Sequence, residues 1–237
     1  MTEDRTVLGI LGGLGPMATV YFYEMLTSLT VADRDQEHLD IIISSRASTP
    51  DRTAFITGTS GENPLPVMIE EAQRLERAGA GIIVMPCNTA HYFYDEIKKS
   101  ISVPMLDIIG ETVAYCSREG FGRIGLLATE GTVMTGSYEK RAEQFGIEIV
   151  RPSYCSQSLV NEIIYGEIKR GLPADMTKFS SVADELRGKG CETVVLGCTE
   201  LSLVKKQEHL GSYYTDSLEA LAAAAIRACG KECKNDT

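Results

Sequence analysis

The chain is short of basic residues and of long apolar runs, and each shortage excludes a class of protein. Its 237 residues include 23 lysines and arginines against 33 aspartates and glutamates, giving a formal net charge of -10. Without a basic field, a nucleic-acid or anionic-membrane partner is not expected. No run approaches the ~18 apolar residues of a membrane-spanning helix. The opening segment Met1–Arg5 lacks the basic start of a secretory signal, so a cytoplasmic protein is expected.

Several motifs that would identify a particular class of enzyme are also absent from the sequence. The sequence has no Walker phosphate loop, no zinc signature and no serine-centred nucleophile elbow. Its seven cysteines are odd in number and lie mostly within predicted strands or helices, which favours reduced thiols over a disulfide framework. Cys229 and Cys233 stand one helical turn apart, but no histidine is near them, so we expect no metal site.

Predicted strands and helices alternate along the whole chain, which is typical of an α/β sheet. Buried strands are predicted at Thr6–Leu11, Asp40–Ser44, Gly81–Met85, Arg123–Ala128, Ile147–Val150 and Thr193–Leu196. Helices are predicted at Pro16–Ala32, Pro64–Ala78, His91–Ser100, Thr132–Phe145, Val160–Arg170, Asp175–Lys189 and after Asp216, with a long polar loop at Ser45–Asn63.

A stretch of the first half is repeated in the second half without a gap, 111 residues later. The segment Leu75–Thr89 aligns with Leu186–Glu200, and Cys87 falls on Cys198. Each copy has the pattern of a helix end, a glycine, a buried apolar strand and a cysteine where the strand stops. The repeat predicts that the two halves of the chain share one fold.

A weaker repeat joins Gly9–Gly12 to Gly125–Ala128 at an offset of 116 residues. We therefore predict two pseudo-symmetric α/β lobes, each a mostly parallel sheet flanked by helices, with the active site in the crevice between them. The first lobe is predicted to comprise residues 1–110 plus 212–237, and the second residues 111–211. The final helix is expected to pack back on the first lobe.

Cys87 and Cys198 are the strongest candidates for chemistry. The carboxyl ends of parallel strands face the ligand crevice of an open α/β sheet, so the two thiols should face one crevice from opposite sides. Two acid/base groups that flank one carbon are what a stereochemical inversion needs. The alternative reading of any free cysteine is a small buried hydrophobe, but the equivalent placement of this pair favours function.

Four further residues could assist the thiols. Glu200, two residues after Cys198, is a candidate supporting carboxylate that accepts or relays the proton of that thiol. His91 is more readily interpreted as a buried hydrogen-bonding residue than as a base. Arg52 and Lys169 are candidate ligands for an anion, because an arginine fork suits a carboxylate, although a solvated surface charge is the commoner interpretation of each.

The glycine-rich loop Gly12–Pro16 fits part of a dinucleotide-binding fingerprint. That fingerprint also needs an acid at the end of the second strand, where this chain has Ser44-Ser45-Arg46. We therefore expect a plain anion site here, formed by backbone N–H groups and a helix N-terminus.

Four motifs together resemble the aspartate racemase branch of the aspartate/glutamate racemase family. They are Gly-Gly-Leu-Gly-Pro-Met-Ala-Thr at 12–19, Pro-Asp-Arg-Thr at 50–53, Pro-Cys-Asn-Thr-Ala-His at 86–91 and Gly-Cys-Thr-Glu at 197–200. Glu200 stands where the glutamate racemase branch has a histidine, which favours the aspartate type. The same fold also includes hydantoin racemases, maleate isomerases and a decarboxylase, so the resemblance alone does not fix the substrate.

The resemblance implies a cofactor-independent amino-acid racemase that acts on a small acidic amino acid and forms a homodimer. Cys87 and Cys198 match the two proton donor/acceptors of the family. The residues matched to substrate binding are Asn88, Thr89 and Thr199 for the α-carboxylate and amino group, and Arg52 and Lys169 for the side-chain carboxylate.

The expected reaction is a two-thiol racemisation of aspartate: one cysteine removes the α-proton as thiolate while the other delivers a proton to the opposite face. A glutamate or broader-specificity racemase of the same family remains an alternative. So does a protein that binds a dicarboxylate or acidic amino acid without turnover. A thiol redox protein is disfavoured, since redox cysteines usually stand two residues apart within one motif.

Overall fold

The computed structural model describes residues 5–234 and contains two parallel sheets. The strands are β1 (Leu8–Gly12), β2 (Ile41–Ser45), β3 (Ile82–Val84), β4 (Arg123–Leu127), β5 (Glu148–Val150), β6 (Thr193–Leu196) and β7 (Tyr214–Asp216). The first sheet has the order β2-β1-β3, and the second has the order β5-β4-β6-β7. Every strand pair in both sheets is parallel.

Helices cover both sheets and connect their strands. The α-helices are α1 (Pro16–Leu29), α2 (Arg52–Ile56), α3 (Leu65–Arg77), α4 (Tyr94–Lys99), α5 (Ile108–Arg118), α6 (Glu130–Thr135), α7 (Ser137–Ala142), α8 (Tyr154–Asn161), α9 (Met176–Gly188), α10 (Thr199–Gln207) and α11 (Ser217–Ala228). Short 3-10 helices lie at Asp35–Glu37, Thr89–Phe93, Glu143–Phe145 and Ile168–Arg170, and a π-helix at Glu162–Glu167.

The two sheets have the same topology. An isolated parallel bridge between Ile83 and Met105 places a further segment beside β3, where β7 lies beside β6. Each of these outer segments leads into a helix capped by an aspartate. The Asp107 side chain accepts the Ile109 N–H at the start of α5, and the Asp216 side chain accepts the Leu218 N–H at the start of α11.

Glycines in the central strands allow helices to pack closely, at equivalent points in the two halves. A Cβ on Gly9 of β1 would lie 2.8 Å from Ala80 Cβ and 3.4 Å from Leu75 Cβ. A Cβ on Gly125 of β4 would lie 2.9 Å from Leu186 Cδ1. Leu75 and Leu186 are paired by the sequence repeat, so the repeat records the same helix-on-strand contact in both halves.

The last helix of each half packs against the other half. Helix α11 contacts α1, which follows β1, while α5 contacts α7, which leads back to β5. Helices α5 and α11 also pack on each other. One buried apolar cluster therefore contains side chains from both sheets, among them Ile10 of β1 and Leu126 of β4. Two smaller clusters lie within the first and second halves.

The predicted α/β fold with two parallel sheets is confirmed, and the errors are local. Within the predicted polar loop Ser45–Asn63 lies the short helix α2, begun by the Asp51 side chain, which accepts the Ala54 N–H. The predicted helix Thr132–Phe145 is broken at Gly136, whose positive φ of 62° ends α6 before α7 begins. Helices α5 and α10 and strand β7 were not predicted.

The final helix does pack on the first half, as expected. The proposed boundaries of the lobes, residues 1–110 plus 212–237 and residues 111–211, remain a prediction. Strand β7 lies in the second sheet, although its residues fall in the segment assigned to the first lobe. Among residues 5–234, every helix is too short or too polar to span a bilayer.

Candidate active site

Cys87 and Cys198 line one pocket between the two sheets. Each follows the carboxyl end of its strand, β3 or β6, and they are 7% and 5% exposed. The lining side chains leave the centre of a water-sized sphere only about 10 Å³ of free space in the pocket. Its lining includes all of the residues predicted for the site: Arg52, Cys87, Asn88, Thr89, Lys169, Cys198, Thr199 and Glu200.

The pocket also contains residues that the sequence reasoning missed: Leu14, Asp51, Thr53, Thr129 and Tyr165. Thr129 could have been found by the rule that located the cysteines, since it follows the carboxyl end of β4. Tyr165 stands four residues before Lys169, the spacing of one helical turn. The roles predicted for the lining residues remain predictions.

Cys198 is the first member of a short hydrogen-bonded chain. Its Sγ donates to Glu200 Oε2 at 3.0 Å, and Lys169 Nζ donates to the other carboxylate oxygen at 2.6 Å. Cys198 is the N-cap of α10, and Glu200 lies in the first turn of that helix. The local path of the chain thus brings the thiol and the carboxylate together, and Lys169 completes an ion pair from a separate segment.

This arrangement holds Cys198 as a neutral thiol. Burial raises the pKa of Cys198 well above its ordinary value, and the charge of Glu200 raises it further, while Lys169 opposes the shift. Burial alone would raise the pKa of Glu200, but the charge of Lys169 and the hydrogen bonds from Cys198 and Lys169 lower it below its usual range. Glu200 is therefore an ionised acceptor and Cys198 its donor.

Lys169 is charged in the same chain. Burial opposes its charge, but the carboxylate of Glu200 and the nearby cysteines raise the pKa of Lys169 above its ordinary value. Lys169 Nζ also lies 5.6 Å from the centre of the Tyr165 ring, within the range of a cation–π contact. The π-helix at Glu162–Glu167 and the 3-10 helix after it direct Tyr165 and Lys169 into one pocket, a use of irregular helix common at functional sites.

The surroundings of Cys87 carry hydroxyl groups instead of an ion pair. Thr89 Oγ1 lies 2.8 Å from Thr129 Oγ1 and 3.1 Å from Thr132 Oγ1, and the last two hydroxyls are 3.1 Å apart. These three threonine hydroxyls lie within hydrogen-bond distance of one another, and Thr89 and Thr129 also line the pocket. Such rotatable donors suit a carboxylate ligand.

Asn88 is held rigidly beside Cys87. Its Nδ2 donates to Ser217 Oγ at 2.9 Å, and its Oδ1 accepts the Tyr138 hydroxyl at 2.7 Å. Both partners come from the second half of the chain. The second N–H of the amide remains as a donor available to a ligand in the pocket.

Arg52 is an almost fully buried cation, 8% exposed. Its guanidinium donates to the backbone carbonyls of Leu14, Pro50 and Thr49 at 2.7, 3.0 and 3.3 Å. Within residues 5–234 it makes no ion pair with a carboxylate, and its Nε has no hydrogen-bond partner. Thr53 Oγ1, also in the pocket lining, is likewise buried and without a partner.

The glycine-rich loop Gly12–Pro16 serves close packing. Gly13 has a φ of 81°, and a Cβ there would lie 2.5 Å from the Arg46 backbone. A Cβ on Gly15 would lie 2.6 Å from Glu200 Oε1. The carboxylate of Glu200 therefore lies against this loop, and the ligand-anion site expected there from the sequence remains a prediction.

The loop has an equivalent in the second half. A Cβ on Gly131, which stands 116 residues after Gly15, would lie 3.2 Å from Thr89 Cγ2. Thr89 and Glu200 are paired by the sequence repeat. The two halves thus place different side chains against the same backbone feature.

The sequence profile of the Asp/Glu/Hydantoin racemase family matches residues 11–225. The chain belongs to this family. Its resemblance to the aspartate racemase branch is confirmed, and it is an enzyme of the isomerase class. The pocket with its two cysteines is accordingly the candidate racemase active site.

Racemases named for different substrate ranges are similar to this chain over nearly its full length. The broad specificity amino-acid racemase RacX of Bacillus subtilis (strain 168) is 28% identical over 229 residues, covering 93% of this chain and 96% of its own. The structure of the aspartate racemase of Picrophilus torridus is 31% identical with a TM-score of 0.84, covering 98% of this chain and 97% of that one. An aspartate racemase homologue from Pyrococcus horikoshii OT3 is 27% identical with a TM-score of 0.76, covering 95% of this chain and 99% of its own.

Proposed function

We propose that this racemase interconverts the enantiomers of aspartate by a two-thiol mechanism that needs no cofactor. The observation that carries the proposal is one pocket lined by two cysteines and by a buried arginine whose hydrogen bonds, among residues 5–234, go to backbone carbonyls and not to a carboxylate. The thiols supply two acid/base groups, and Arg52 supplies a place for the side-chain carboxylate of the substrate.

In the resting enzyme we assign the acid to Cys198 and the base to Cys87. Cys198 donates its proton to Glu200, so it is the neutral thiol. A two-base reaction needs the opposite state on the other face, which leaves Cys87 as the thiolate that removes the α-proton. Protonation by Cys198 then gives the other enantiomer and leaves Cys87 as the thiol and Cys198 as the thiolate. That state performs the reverse reaction, and proton exchange with solvent restores the first state for another turnover in the same direction. Glu200 supports Cys198 in this cycle without contacting the α-carbon.

The main barrier is the carbanion formed at the α-carbon, whose charge spreads into the α-carboxylate. Donors preorganised around that carboxylate lower the barrier as an oxyanion hole does. Asn88, Thr89 and Thr199 are the proposed donors, and hydrogen bonds with the hydroxyls of Thr129 and Thr132 hold Thr89 in place. Positioning of this kind is effective because the donors need no rearrangement during the reaction.

The charge balance of the pocket also supports a second candidate, a broader-specificity racemase. Lys169 is already paired with Glu200 at 2.6 Å, so Arg52 is the cation left for a side-chain carboxylate among the described lining residues. A substrate without a second carboxylate would then leave only the charge of Arg52 without a partner, because Lys169 keeps Glu200. RacX, the relative named for broad specificity, fits this alternative.

The test is α-proton exchange followed by NMR in heavy water, with aspartate, glutamate, asparagine and alanine offered separately. We expect label at the α-carbon of aspartate and, more slowly, of glutamate, because one methylene is worth only about 1–3 kcal/mol of discrimination. Exchange of asparagine or alanine as fast as aspartate would establish the broader racemase. No exchange with any of the four would overturn the proposal.

The remaining expectations belong to the same proposal. We propose that the racemase is a homodimer in the cytoplasm whose partner molecule is a small acidic amino acid. Light scattering of the purified protein tests the dimer, and cell fractionation tests the compartment.

A further inference from the structure

The backbone carbonyls of the two cysteines are held by different donors. Cys198 O accepts the Leu201 N–H at 2.9 Å, a bond of the first turn of α10. Cys87 is followed by the 3-10 helix Thr89–Phe93, in which the His91 N–H bonds Asn88 O at 3.0 Å. The bond to Cys87 O comes instead from a side chain, since His91 Nδ1 lies 2.8 Å from it.

The neighbouring groups fix the tautomer of His91. Its Nε2 receives the Ile108 N–H at 3.1 Å and is therefore an acceptor without a proton. The proton of the neutral ring must then lie on Nδ1, where it is donated to Cys87 O. Burial lowers the pKa of His91, with Asp107 at 3.9 Å opposing the shift, so the neutral form agrees with the surroundings.

Packing and hydrogen bonds hold the His91 imidazole on several sides. Its side chain is 1% exposed, and its ring stacks on Tyr94 at 5.5 Å between centroids with 12° between planes. Tyr94 is itself anchored, because its hydroxyl donates to Met105 O at 2.7 Å. Through Ile108, the ring also joins the Cys87 segment to the start of α5. A ring held this firmly can hold the Cys87 peptide in one orientation.

We propose that His91 is a positioning residue for Cys87, which fixes the direction of the thiol by donating Nδ1–H to the Cys87 carbonyl. This inference rests on the proposed racemisation, in which Cys87 must face the α-carbon from one side. His91 acts through the peptide and does not touch the substrate. Displacing a reacting group by about 1 Å can cost on the order of a hundredfold in rate.

Three substitutions separate the two hydrogen bonds. His91→Asn keeps a donor at the place of Nδ1, His91→Gln can keep only an acceptor near Nε2, and His91→Leu removes both. We expect racemisation to fall ten- to a hundredfold in His91→Leu and His91→Gln and to recover largely in His91→Asn. Ser202→Ala is the matched control, since Ser202 stands 111 residues after His91 and its hydroxyl bonds Asp216 Oδ1 at 2.6 Å rather than the Cys198 peptide.

The decisive readout is the primary deuterium isotope effect on kcat/KM, measured from each enantiomer of α-deuterated aspartate. The enantiomer that Cys87 deprotonates is identified independently, as the one that still exchanges its α-proton in Cys198→Ala. In His91→Gln and His91→Leu the isotope effect should rise from that enantiomer alone. An equal change from both enantiomers, or no rescue by His91→Asn, would overturn the positioning role.

A second measurement does not depend on turnover. In a Cys198→Ser background, the rate of iodoacetamide modification of Cys87, followed by peptide mass spectrometry, should change in His91→Leu and return toward the parent rate in His91→Asn. An unchanged rate in all variants would also overturn the inference. Failure of the wild-type protein to exchange any α-proton, with these thiol rates still altered, would instead refute the proposed function.

Discussion

The surroundings of Cys87 and Cys198 share one backbone arrangement but differ in charge. Each cysteine follows the carboxyl end of a strand, β3 or β6, and a glycine of the other half, Gly131 or Gly15, approaches the residue two positions after that cysteine. That residue is Thr89 in the first half and Glu200 in the second. An ion pair with Lys169 therefore lies beside one thiol, and uncharged hydroxyls lie beside the other. The comparison teaches that fold symmetry sets the places of the two thiols, while the charges beside them differ, and only at Cys198 does a carboxylate add to the effect of burial in raising the thiol pKa.

The largest expected effect tests whether the two thiols are distinct partners in one reaction. Cys87→Ala and Cys198→Ala should each lower racemisation by about 10²- to 10⁴-fold, the usual contribution of a general acid or base. Each variant should still exchange the α-proton of one enantiomer, and the two variants should favour opposite enantiomers. Measurement is by polarimetry and by NMR in heavy water. Near wild-type racemisation by either variant would contradict the two-thiol mechanism.

The next largest effect is expected from replacing Arg52, the pocket cation that is not paired with Glu200. Arg52→Ala should lower kcat/KM for aspartate roughly ten- to a hundredfold, because a charged hydrogen bond contributes about 1.5–3 kcal/mol. Arg52→Lys keeps the charge without the fork and should recover only part of the loss. An unchanged kcat/KM in Arg52→Ala would show that the side-chain carboxylate binds elsewhere.

Lys169→Met should act on stability as well as on activity. It leaves the buried carboxylate of Glu200 without its ion-pair partner, and breaking such a pair costs on the order of 3 kcal/mol. Urea unfolding measures this loss, and the double variant Lys169→Met with Glu200→Gln should restore much of it. If the single variant is as stable as the parent, the ion pair contributes little.

A smaller effect, on pH dependence, follows from the charge of Glu200. That charge helps to raise the pKa of Cys198, so Glu200→Gln should lower this pKa. Cys198 would then lose its proton at lower pH, and the alkaline limb of the kcat/KM profile, which reports loss of the acid, should move to lower pH. Thr89→Val, at the equivalent position, changes no charge and should leave that limb in place. A limb that stays fixed in Glu200→Gln would assign it to another group.

The smallest expected effect is a difference in unfolding free energy between alanine variants of the two central strands, β1 and β4. A Cβ on Gly9 would meet Ala80 Cβ, which is fixed to the backbone, whereas a Cβ on Gly125 would first meet the flexible end of Leu186. Overpacking typically costs about 1–3 kcal/mol, and Gly9→Ala should lie nearer the upper end than Gly125→Ala. Urea unfolding of both variants gives the comparison. Equal losses would mean that the surrounding helices, not these atoms, decide the cost.

Much of the fold could be predicted because the repeat records packing. The pairing of Leu75 with Leu186, and of Gly9 with Gly125, describes the same helix-on-strand contact in both halves. Helix α2 could not be predicted in this way, because five residues give too little periodicity to detect. The break at Gly136 was missed because an isolated glycine within a helical pattern is often tolerated.

The site was predictable where a residue follows a strand end, as Cys87 and Cys198 do. The pairing of Lys169 with Glu200 was not, because the two residues are far apart in sequence and the π-helix before Lys169 has no clear sequence signal. The bond from His91 to the Cys87 carbonyl depends on a 3-10 turn in place of an α-helical one. Distinguishing these turns requires the three-dimensional structure.

Helix α11, which follows the second sheet, packs on α1 of the first half, and α5, which follows the first sheet, packs on α7 of the second half. A fragment that stops after α5 would leave the apolar face of that helix uncovered, and it would lack α11 to cover α1. Two copies of such a fragment could cover each other's exposed apolar faces by exchanging their last helices, as domain-swapped dimers do. The single chain has the architecture of such a dimer with its two protomers joined. Each half contributes one cysteine to the pocket between the two sheets.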